Sequence, residues 1–322
     1  MKLIVGDKPL NFPDILILGA AKCGTTSLAF FLKQHPDVYM PRKEPGFFAY
    51  HNRPVLEIPS GIRDRQITDL GAYSSMYEGV KPGQKICDSS VAQFTNAEHT
   101  VRNVKQYYGE SVSGLKTVLI LRHPVDRAYS HYLMFVKNGL ETLSFEDAIR
   151  PENVKRRIGD QLGYDYLGGS LYAERVRLFK HSFPQLKIYT TEDLKKPQEI
   201  LKDFLDFCGL NDKVSINTAA KLNPSGLPKK KGLIRILHSR SKFKEILKRL
   251  LPDKLQYRLT AVKSDLLRRS IVKAEIDPIL RQELTDKYFK TDILELQKIV
   301  GRNFSNWLTQ NKHKYDIPIK SQ

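Results

Sequence analysis

Short apolar runs and amphipathic segments alternate along the first two thirds of the chain. Residues 14–19 read DILILG, residues 116–121 read KTVLIL and residues 186–191 read LKIYTT. Runs of this length, rich in Ile, Leu and Val, are typical of strands buried on both faces of a parallel sheet. A fourth segment, KICDSSV at 85–91, is interpreted as a strand that returns to the same sheet.

Each of three apolar runs precedes a segment with the hydrophobic period of a helix. SLAFFLKQHP follows the first run and stops at Pro36; the second helix has Pro124 in its first turn and Gly139 at its end. The third, KPQEILKDFLDFCGL, has Gly209 at its C-cap. Strands that alternate with helices predict an α/β fold of the P-loop type, with a mainly parallel sheet flanked by helices.

Two segments depart from this alternation. Residues 50–85 carry Pro, Gly and scattered charge with little periodicity, and are expected to cross the active-site face. Residues 221–273 contain roughly sixteen Lys and Arg against three Asp and Glu, in a helical pattern. We therefore predict one domain over 1–322, in which 14–210 is a nucleotide-binding α/β core and 221–322 a basic helical C-terminal region.

Charge and cysteine content narrow the function classes. The net charge of +18 and the pI of about 9.6 predict anionic partners. The three cysteines, Cys23, Cys87 and Cys208, are widely spaced and have no Cys/His cluster, so neither a metal site nor a disulfide framework is expected. The apolar runs are too short for a signal core or a transmembrane segment. A cytoplasmic enzyme is the expectation.

The loop after the first strand, GAAKCGTTSL at 19–28, is close to a phosphate-binding loop. Backbone N–H groups of a glycine-bounded turn at a helix N-terminus bind phosphate well. However, Thr25 stands where an ATPase has its lysine, and a lysine occurs three positions earlier, at Lys22. The second strand ends in Arg122 where a magnesium-binding Asp is needed. Both departures argue against a P-loop kinase.

Three motifs together resemble the sulfotransferases that use 3′-phosphoadenosine 5′-phosphosulfate (PAPS). GAAKCGTTSLAFFLKQHP looks like their 5′-phosphosulfate loop, LRHPVDRAYSHY like their 3′-phosphate motif, and KEPGFF like the acidic motif of the glycan-sulfotransferase branch. SLYAERVRLFKHSFP, TTEDL and FCGL follow in the order of that branch. The tail, with NPSGLPKKKG and GRNFSNW, is similar to free-standing bacterial members, including cyanobacterial ones.

The resemblance implies a role for each motif residue. Lys22 stabilises the leaving 5′-phosphate and Glu44 is the general base, with His51 as the fallback base. The implied cofactor-binding residues are Lys22, Cys23, Gly24, Thr25, Thr26, Ser27, Arg122, Ser130 and a basic loop at Lys229, Lys230 or Lys231. His123 is expected to be structural, and Arg127 is expected to be an internal ion-pair partner.

One position departs from the glycan-modifying relatives. Many of them carry a catalytic lysine where this chain has Asp88, followed by Ser89 and Ser90. A carboxylate at this place disfavours a polyanionic, heparan-type acceptor, whereas Ser89 is still expected to line the site. The acceptor is expected to be a glycan, a glycolipid or a hydroxylated small molecule.

A nucleic-acid-binding protein is the non-enzymatic alternative, because the chain is strongly basic. The sequence contains no helix-turn-helix, zinc or RNA-recognition signature, so no specific nucleic-acid partner is expected.

Overall fold

The structure is a computed structural model, and it describes residues 1–54, 57–58, 60–158, 162–219, 227–228, 271–272 and 274–309. The predicted basic loop at Lys229, Lys230 and Lys231 lies outside the described residues, as does most of the predicted basic helical region.

A five-stranded, fully parallel sheet forms the centre of the protein. Its strands lie in the order β4–β5–β3–β6–β7. This confirms the predicted parallel α/β fold. The strands are β3 (Ile15–Gly19), β4 (Val38–Tyr39), β5 (Lys85–Ser89), β6 (Lys116–Leu121) and β7 (Leu186–Thr190), preceded by a hairpin of β1 (Lys2–Val5) and β2 (Lys8–Asn11) and followed by a short antiparallel pair, β8 (Leu227–Pro228) and β9 (Ile271–Val272).

Helices cover the sheet. The longer ones are α1 (Thr25–Leu32), α6 (Ala97–Tyr108), α7 (Pro124–Lys137), α9 (Pro151–Ile158), α10 (Ala173–Ser182), α11 (Pro197–Cys208), α12 (Pro278–Leu284) and α13 (Lys290–Val300). Shorter ones are α2 (Phe47–Tyr50), α3 (Ser60–Arg63), α4 (Leu70–Ser75), α5 (Ala92–Thr95), α8 (Phe145–Ala148) and α14 (Ser305–Leu308), with 3₁₀ turns at Gly109–Gly114, Leu162–Tyr164, Gly168–Ser170 and Asp193–Lys195 and a π-turn at Thr285–Phe289.

The predicted boundary signals operate as expected. Pro124 is the first residue of α7, where its missing N–H costs no helical hydrogen bond. Gly209 ends α11 with a φ of 61°, a left-handed conformation that glycine adopts without strain. Strand β4 was not predicted, because two residues carry no measurable period.

The hydrophobic core is continuous from the sheet to the C-terminal helices. Ile15, Ile17 and Leu18 of β3 are fully buried, and Phe289 and Trp307 join the same cluster. A single domain over the whole chain stays a prediction, since much of 221–322 lies outside the described residues. None of the described helices has both the length and the apolar character that crossing a bilayer requires.

Strand β3 lies at the point where the chain reverses its direction across the sheet. Its neighbours are β5 on one side and β6 on the other. The chain first passes from β3 to β4 and β5 on one side of the sheet, and then crosses to β6 and β7 on the other side. In open parallel sheets a crevice forms outside the carboxyl ends of the strands at such a point.

Candidate active site

A cleft of about 540 Å³ opens at the carboxyl end of β3. It brings together predicted residues from the three motifs that the sequence singled out. The predicted residues that line it are Lys22, Gly24, Thr25, Thr26, Ser27, Glu44, Arg122 and Ser130.

The first wall is the loop between β3 and α1. Gly24 caps α1 with a φ of 97°, and Lys22 has a φ of 71°, so both residues adopt left-handed conformations. This geometry turns the chain sharply into the helix. The first amide groups of a helix have no partner within it, and together with the helix dipole they favour an anion. The hydroxyls of Thr26 and Ser27 lie in the same wall.

Lys22 lies in a strongly cationic environment. Burial, followed by the positive charges of Arg122, Lys137 and Arg127, lowers the pKa of Lys22 to about 8. The guanidinium of Arg122 also approaches the main chain here, with Nη1 at 3.5 Å from the carbonyl oxygen of Lys22. A bound anion relieves the repulsion among these cations, so the electrostatic potential of the cleft favours a negatively charged ligand.

Arg122 and Ser130 form the opposite wall. Arg122 immediately follows β6, and Ser130 lies two turns into α7, so the strand-to-helix connection places both on the cleft. The carbonyl of Arg122 accepts a hydrogen bond of 2.8 Å from the hydroxyl of Tyr172. A guanidinium beside a hydroxyl is a favourable arrangement for a phosphate.

The side chains of Cys23 and Arg127 point away from the cleft and are buried behind the main chain of the loop. The Cys23 thiol is fully buried beside the hydroxyl of Tyr172, at 3.9 Å, and burial raises its pKa to about 11. Arg127 is also buried; its Nε donates to the carbonyl of Ala21 at 3.2 Å and its Nη1 to the hydroxyl of Ser170 at 3.0 Å. These contacts support the loop from beneath. The partners of Arg127 here are carbonyl and hydroxyl groups and not the carboxylate that the predicted ion pair requires.

Glu44 reaches the cleft from a tight turn between β4 and α2. Its Oε1 pairs with the ammonium of Lys43 at 2.7 Å, and its Oε2 accepts from the backbone N–H of Val91 at 3.1 Å. Because each oxygen has a donor from a different segment, the orientation of the carboxylate is fixed. The Glu44 side chain keeps 36% of its surface exposed, so it is accessible from the cleft.

His51 does not reach the cleft. Its Nδ1–H donates to the carbonyl of Thr68 at 2.6 Å, and its Nε2 accepts from the hydroxyl of Tyr107. The ring also stacks on Phe47, with centroids 4.4 Å apart. Both nitrogens are engaged, so the fallback base has no lone pair to offer.

His123 is structural, as expected. It caps α7, and its Nε2 contacts the carbonyl of Trp307 at 2.8 Å. Burial lowers its pKa to about 4, so the ring is neutral at physiological pH.

The expectation that the carboxylate of Asp88 opposes a polyanionic acceptor is wrong. Asp88 is completely buried beneath the turn that carries Glu44. It accepts hydrogen bonds from Tyr73 and Ser90, at 2.7 and 2.6 Å. The Ser89 side chain is buried too and does not line the cleft. The argument from Asp88 against a polyanionic acceptor therefore no longer holds.

Several cleft residues were missed by sequence reasoning. Lys43 precedes Glu44, and Thr191 follows β7 at the same edge of the sheet. Three further residues could have been found from helical spacing, since positions three, four and seven residues after Ser130 share its face of α7. These are Leu133, Met134 and Lys137, all of which line the cleft.

The third predicted phosphate element cannot be placed, because Lys229 and Lys230 lie outside the described residues. The two residues that precede this basic loop, Leu227–Pro228, lie beside α7, the helix that carries Ser130. No group of three or more His, Cys, Asp or Glu side chains in the described part of the chain is arranged to hold a metal ion.

The fold and the cleft define an α/β protein with a glycine-containing loop between β3 and α1 and a cationic pocket that contains one well-oriented carboxylate. A family model for the sulfotransferase domain matches residues 12–222, which is most of the described core. The chain belongs to the sulfotransferase family.

Individual relatives agree with this assignment. Mouse carbohydrate sulfotransferase 15 is 25% identical over 167 residues, which cover 42% of this chain and 30% of that protein. Mouse heparan sulfate glucosamine 3-O-sulfotransferase 3A1 is 25% identical over 215 residues, which cover 65% of this chain and 49% of that protein. The chain therefore spans half or less of the length of these curated relatives.

A solved structure also matches. The sulfotransferase from Alicyclobacillus acidocaldarius superposes with a TM-score of 0.68 at 25% identity, covering 93% of this chain and 100% of that one. The predicted resemblance to the sulfotransferases is thereby confirmed.

Proposed function

We propose that the protein transfers the sulfuryl group of PAPS to a hydroxyl, or an amine, of a carbohydrate-containing acceptor. The observation that carries this proposal is the gathering of a phosphate-type loop, Lys22, Arg122, Ser130 and Glu44 around one cleft. A donor with phosphate groups at both ends of its ribose needs two anion sites, and the two walls of the cleft supply a candidate for each.

The donor's two phosphate ends suit different walls. The 5′-phosphosulfate lies against the α1 N-terminus, where Thr25, Thr26 and Ser27 offer amides and hydroxyls. The 3′-phosphate lies at Arg122 and Ser130. We assign Lys229, Lys230 or Lys231 to the same 3′-phosphate, on the basis that the chain lies beside α7 just before them.

The reaction is an in-line displacement at sulfur. Glu44 takes the proton of the acceptor hydroxyl, and the acceptor oxygen forms a new bond to sulfur. The bond from sulfur to the bridging oxygen breaks, and its electron pair stays with the 5′-phosphate. The ammonium of Lys22 stabilises the negative charge that develops there. Sulfuryl transfer resembles phosphoryl transfer through a loose transition state, so positioning and electrostatics supply most of the rate enhancement.

The acceptor is best assigned to the carbohydrates, either as a glycan or as a glycolipid head group. The relatives described above are named for carbohydrate and heparan sulfate substrates. The cleft adds Lys43 and Lys137 to its cations, and Asp88 is buried, so an acidic glycan meets no opposing carboxylate other than Glu44 among the described lining residues.

Thermal unfolding tests the donor assignment. The spent donor, 3′-phosphoadenosine 5′-phosphate, should raise the melting temperature far more than ATP with magnesium, because a ligand stabilises the fold according to its affinity for the folded state. Equal stabilisation by both nucleotides contradicts the proposal and favours a kinase-like nucleotide site. Transfer of labelled sulfate from PAPS to a panel of neutral glycans, acidic glycans, glycolipids and hydroxylated small molecules then identifies the acceptor class.

A further inference from the structure

The turn that carries Glu44 is conformationally unfavourable by itself. Glu44 has a φ of 62° and Gly46, two residues later, has a φ of 75°. A left-handed conformation is sterically unfavourable for a residue other than glycine, because its Cβ lies too close to the following carbonyl oxygen. Interactions from outside the turn must therefore hold it, and its geometry decides where the Glu44 carboxylate points.

Three consecutive residues at the end of β5, Ser89, Ser90 and Val91, hold this turn. Glu44 N–H donates to the carbonyl of Ser89 at 2.9 Å, and Gly46 N–H donates to the hydroxyl oxygen of Ser90 at 3.0 Å. The N–H of Val91 donates to Oε2 of Glu44 at 3.1 Å. Ser89 and Val91 make their contacts through main-chain groups. The contact with Gly46 depends instead on the side chain of Ser90, whose oxygen must accept the hydrogen bond.

Asp88 determines which way the Ser90 hydroxyl points. Ser90 donates its single proton to Oδ1 of Asp88 at 2.6 Å, so its oxygen is left to accept from Gly46. The other oxygen of Asp88 accepts from Tyr73 at 2.7 Å, and Gln93 Nε2 lies 3.4 Å away. Burial raises the pKa of Asp88 to about 6, and its hydrogen bonds from Ser90 and Tyr73 partly offset this rise.

From this geometry we infer that Asp88 is a positioning residue for the reaction, which orients the Ser90 hydroxyl and thereby fixes the turn that aims Glu44. The inference rests on the proposed role of Glu44 as base. Asp88 does not line the cleft and is not itself a catalytic residue. It acts on the rate through the direction of one hydrogen bond.

An amide in place of the carboxylate disturbs this direction. Asparagine has one acceptor edge and one donor edge, so it cannot accept from both Ser90 and Tyr73. If the donor edge faces Ser90, the serine proton turns toward Gly46 and two donors oppose each other. Ser90→Ala removes the acceptor altogether, and this is the more direct variant.

The chain supplies two matched controls. Ser89 is adjacent to Ser90 and equally buried, and within the described part of the structure its hydroxyl has no hydrogen-bond partner. Ser89→Ala therefore removes the same atom from the same layer but keeps the main-chain contact with Glu44. Tyr73→Phe removes the second donor to Asp88 and keeps the Asp88–Ser90–Gly46 connection.

The test compares full-length variants by three measurements. These are single-turnover sulfate transfer from labelled PAPS to the acceptor found in the panel, the dissociation constant for 3′-phosphoadenosine 5′-phosphate, and hydrogen–deuterium exchange of peptides that span residues 43–50. Ser90→Ala should lower turnover by about ten- to a hundredfold, the range for a small misplacement of a catalytic group. Nucleotide affinity should stay within about twofold, and exchange in 43–50 should accelerate.

Asp88→Asn should follow Ser90→Ala, whereas Ser89→Ala and Tyr73→Phe should stay close to the parent. Equal turnover and equal exchange for Ser90→Ala and Ser89→Ala would overturn the inference. Asp88→Ala leaves no acceptor for the Ser90 proton in either orientation, and turnover and exchange equal to the parent in this variant would also overturn the inference. The exchange measurement needs no acceptor and does not depend on Glu44 being the base. Failure of the proposed function, seen as no sulfate transfer by the parent protein, and failure of the proposed role of Glu44, seen as full turnover in Glu44→Gln, are therefore both distinguishable from failure of this inference.

Discussion

The two sides of the cleft are built in different ways. The side assigned to the donor is a strand, a short loop and a helix N-terminus, with Arg122 and Ser130 supplied by the next strand and helix. The side assigned to the acceptor is a turn with two left-handed residues, held by the end of a distant strand. The donor side thus follows directly from a strand and a helix, although Arg127 supports its loop from a distant segment, whereas the turn of the base has no long element of its own and depends on hydrogen bonds from the end of β5. Variants on the two sides should separate nucleotide binding from turnover.

The largest effect is expected for Glu44→Gln. The amide has the size and shape of the carboxylate but cannot accept a proton, so turnover should fall about 10²-fold or more. Nucleotide affinity should remain nearly unchanged, because Glu44 faces the acceptor side. Single-turnover rates and nucleotide titration measure the two quantities. Turnover close to the parent would show that Glu44 is not the base.

Lys22→Ala offers a complementary test on the leaving group. It should also lower turnover, and a donor with a better leaving group should restore part of the loss, since less negative charge then needs stabilising. Glu44→Gln should gain little from the same donor. A similar response of both variants to the change of donor contradicts the division of roles.

Arg122→Ala should weaken nucleotide binding by about 2–4 kcal/mol, the range for losing one partner of a buried charge-assisted contact. An analogue without the 3′-phosphate should lose much less. Arg102→Ala, at an exposed position on α6, is the control for the loss of one positive charge. Calorimetric titration with both nucleotides provides the comparison, and equal losses for the two would make Arg122 a structural residue.

Two glycine substitutions should have smaller effects and compare the two sides of the cleft directly. Gly24 and Gly46 have φ values of 97° and 75°, and a Cβ would meet Leu194 Cδ1 at 2.3 Å and Gln66 Oε1 at 1.8 Å. In each Ala variant the left-handed backbone should destabilise the native conformation of the loop or turn by about 1–2 kcal/mol. Gly24→Ala should mainly weaken nucleotide binding, and Gly46→Ala should mainly lower turnover. If both variants change the same quantity, the two sides are not independent.

The smallest effect expected is a proton uptake on nucleotide binding. The free protein holds the pKa of Lys22 at about 8, and a bound phosphate raises it again. Affinity should therefore be constant below about pH 8 and fall as the pH rises from there through the pKa of the bound state. At about pH 9, calorimetry in buffers of different ionisation enthalpy should detect a fraction of a proton taken up. Lys22→Met should abolish the uptake and Lys105→Met, an exposed control, should not.

The sequence by itself determined four of the five strands of the sheet, β3, β5, β6 and β7, together with helices α1, α7 and α11 and the residues at their ends. Ile15–Gly19, the loop at 20–24 and the step from Arg122 to Ser130 are local features, because backbone period, glycine positions and helical spacing fix them within a few residues. Lys137 was accessible to the same reasoning, seven residues beyond Ser130 on one helix face.

Only the tertiary structure decided the surroundings of Glu44, Asp88 and His51. Glu44 meets Val91, which lies 47 residues further along the chain, and Asp88 is buried by Tyr73 and by the turn above it. His51 is removed from the chemistry by contacts with Thr68 and Tyr107. Burial and hydrogen bonding between distant segments leave no periodic signal in either segment. A carboxylate that orients a buried serine and one that faces a substrate therefore look alike until the chain is folded.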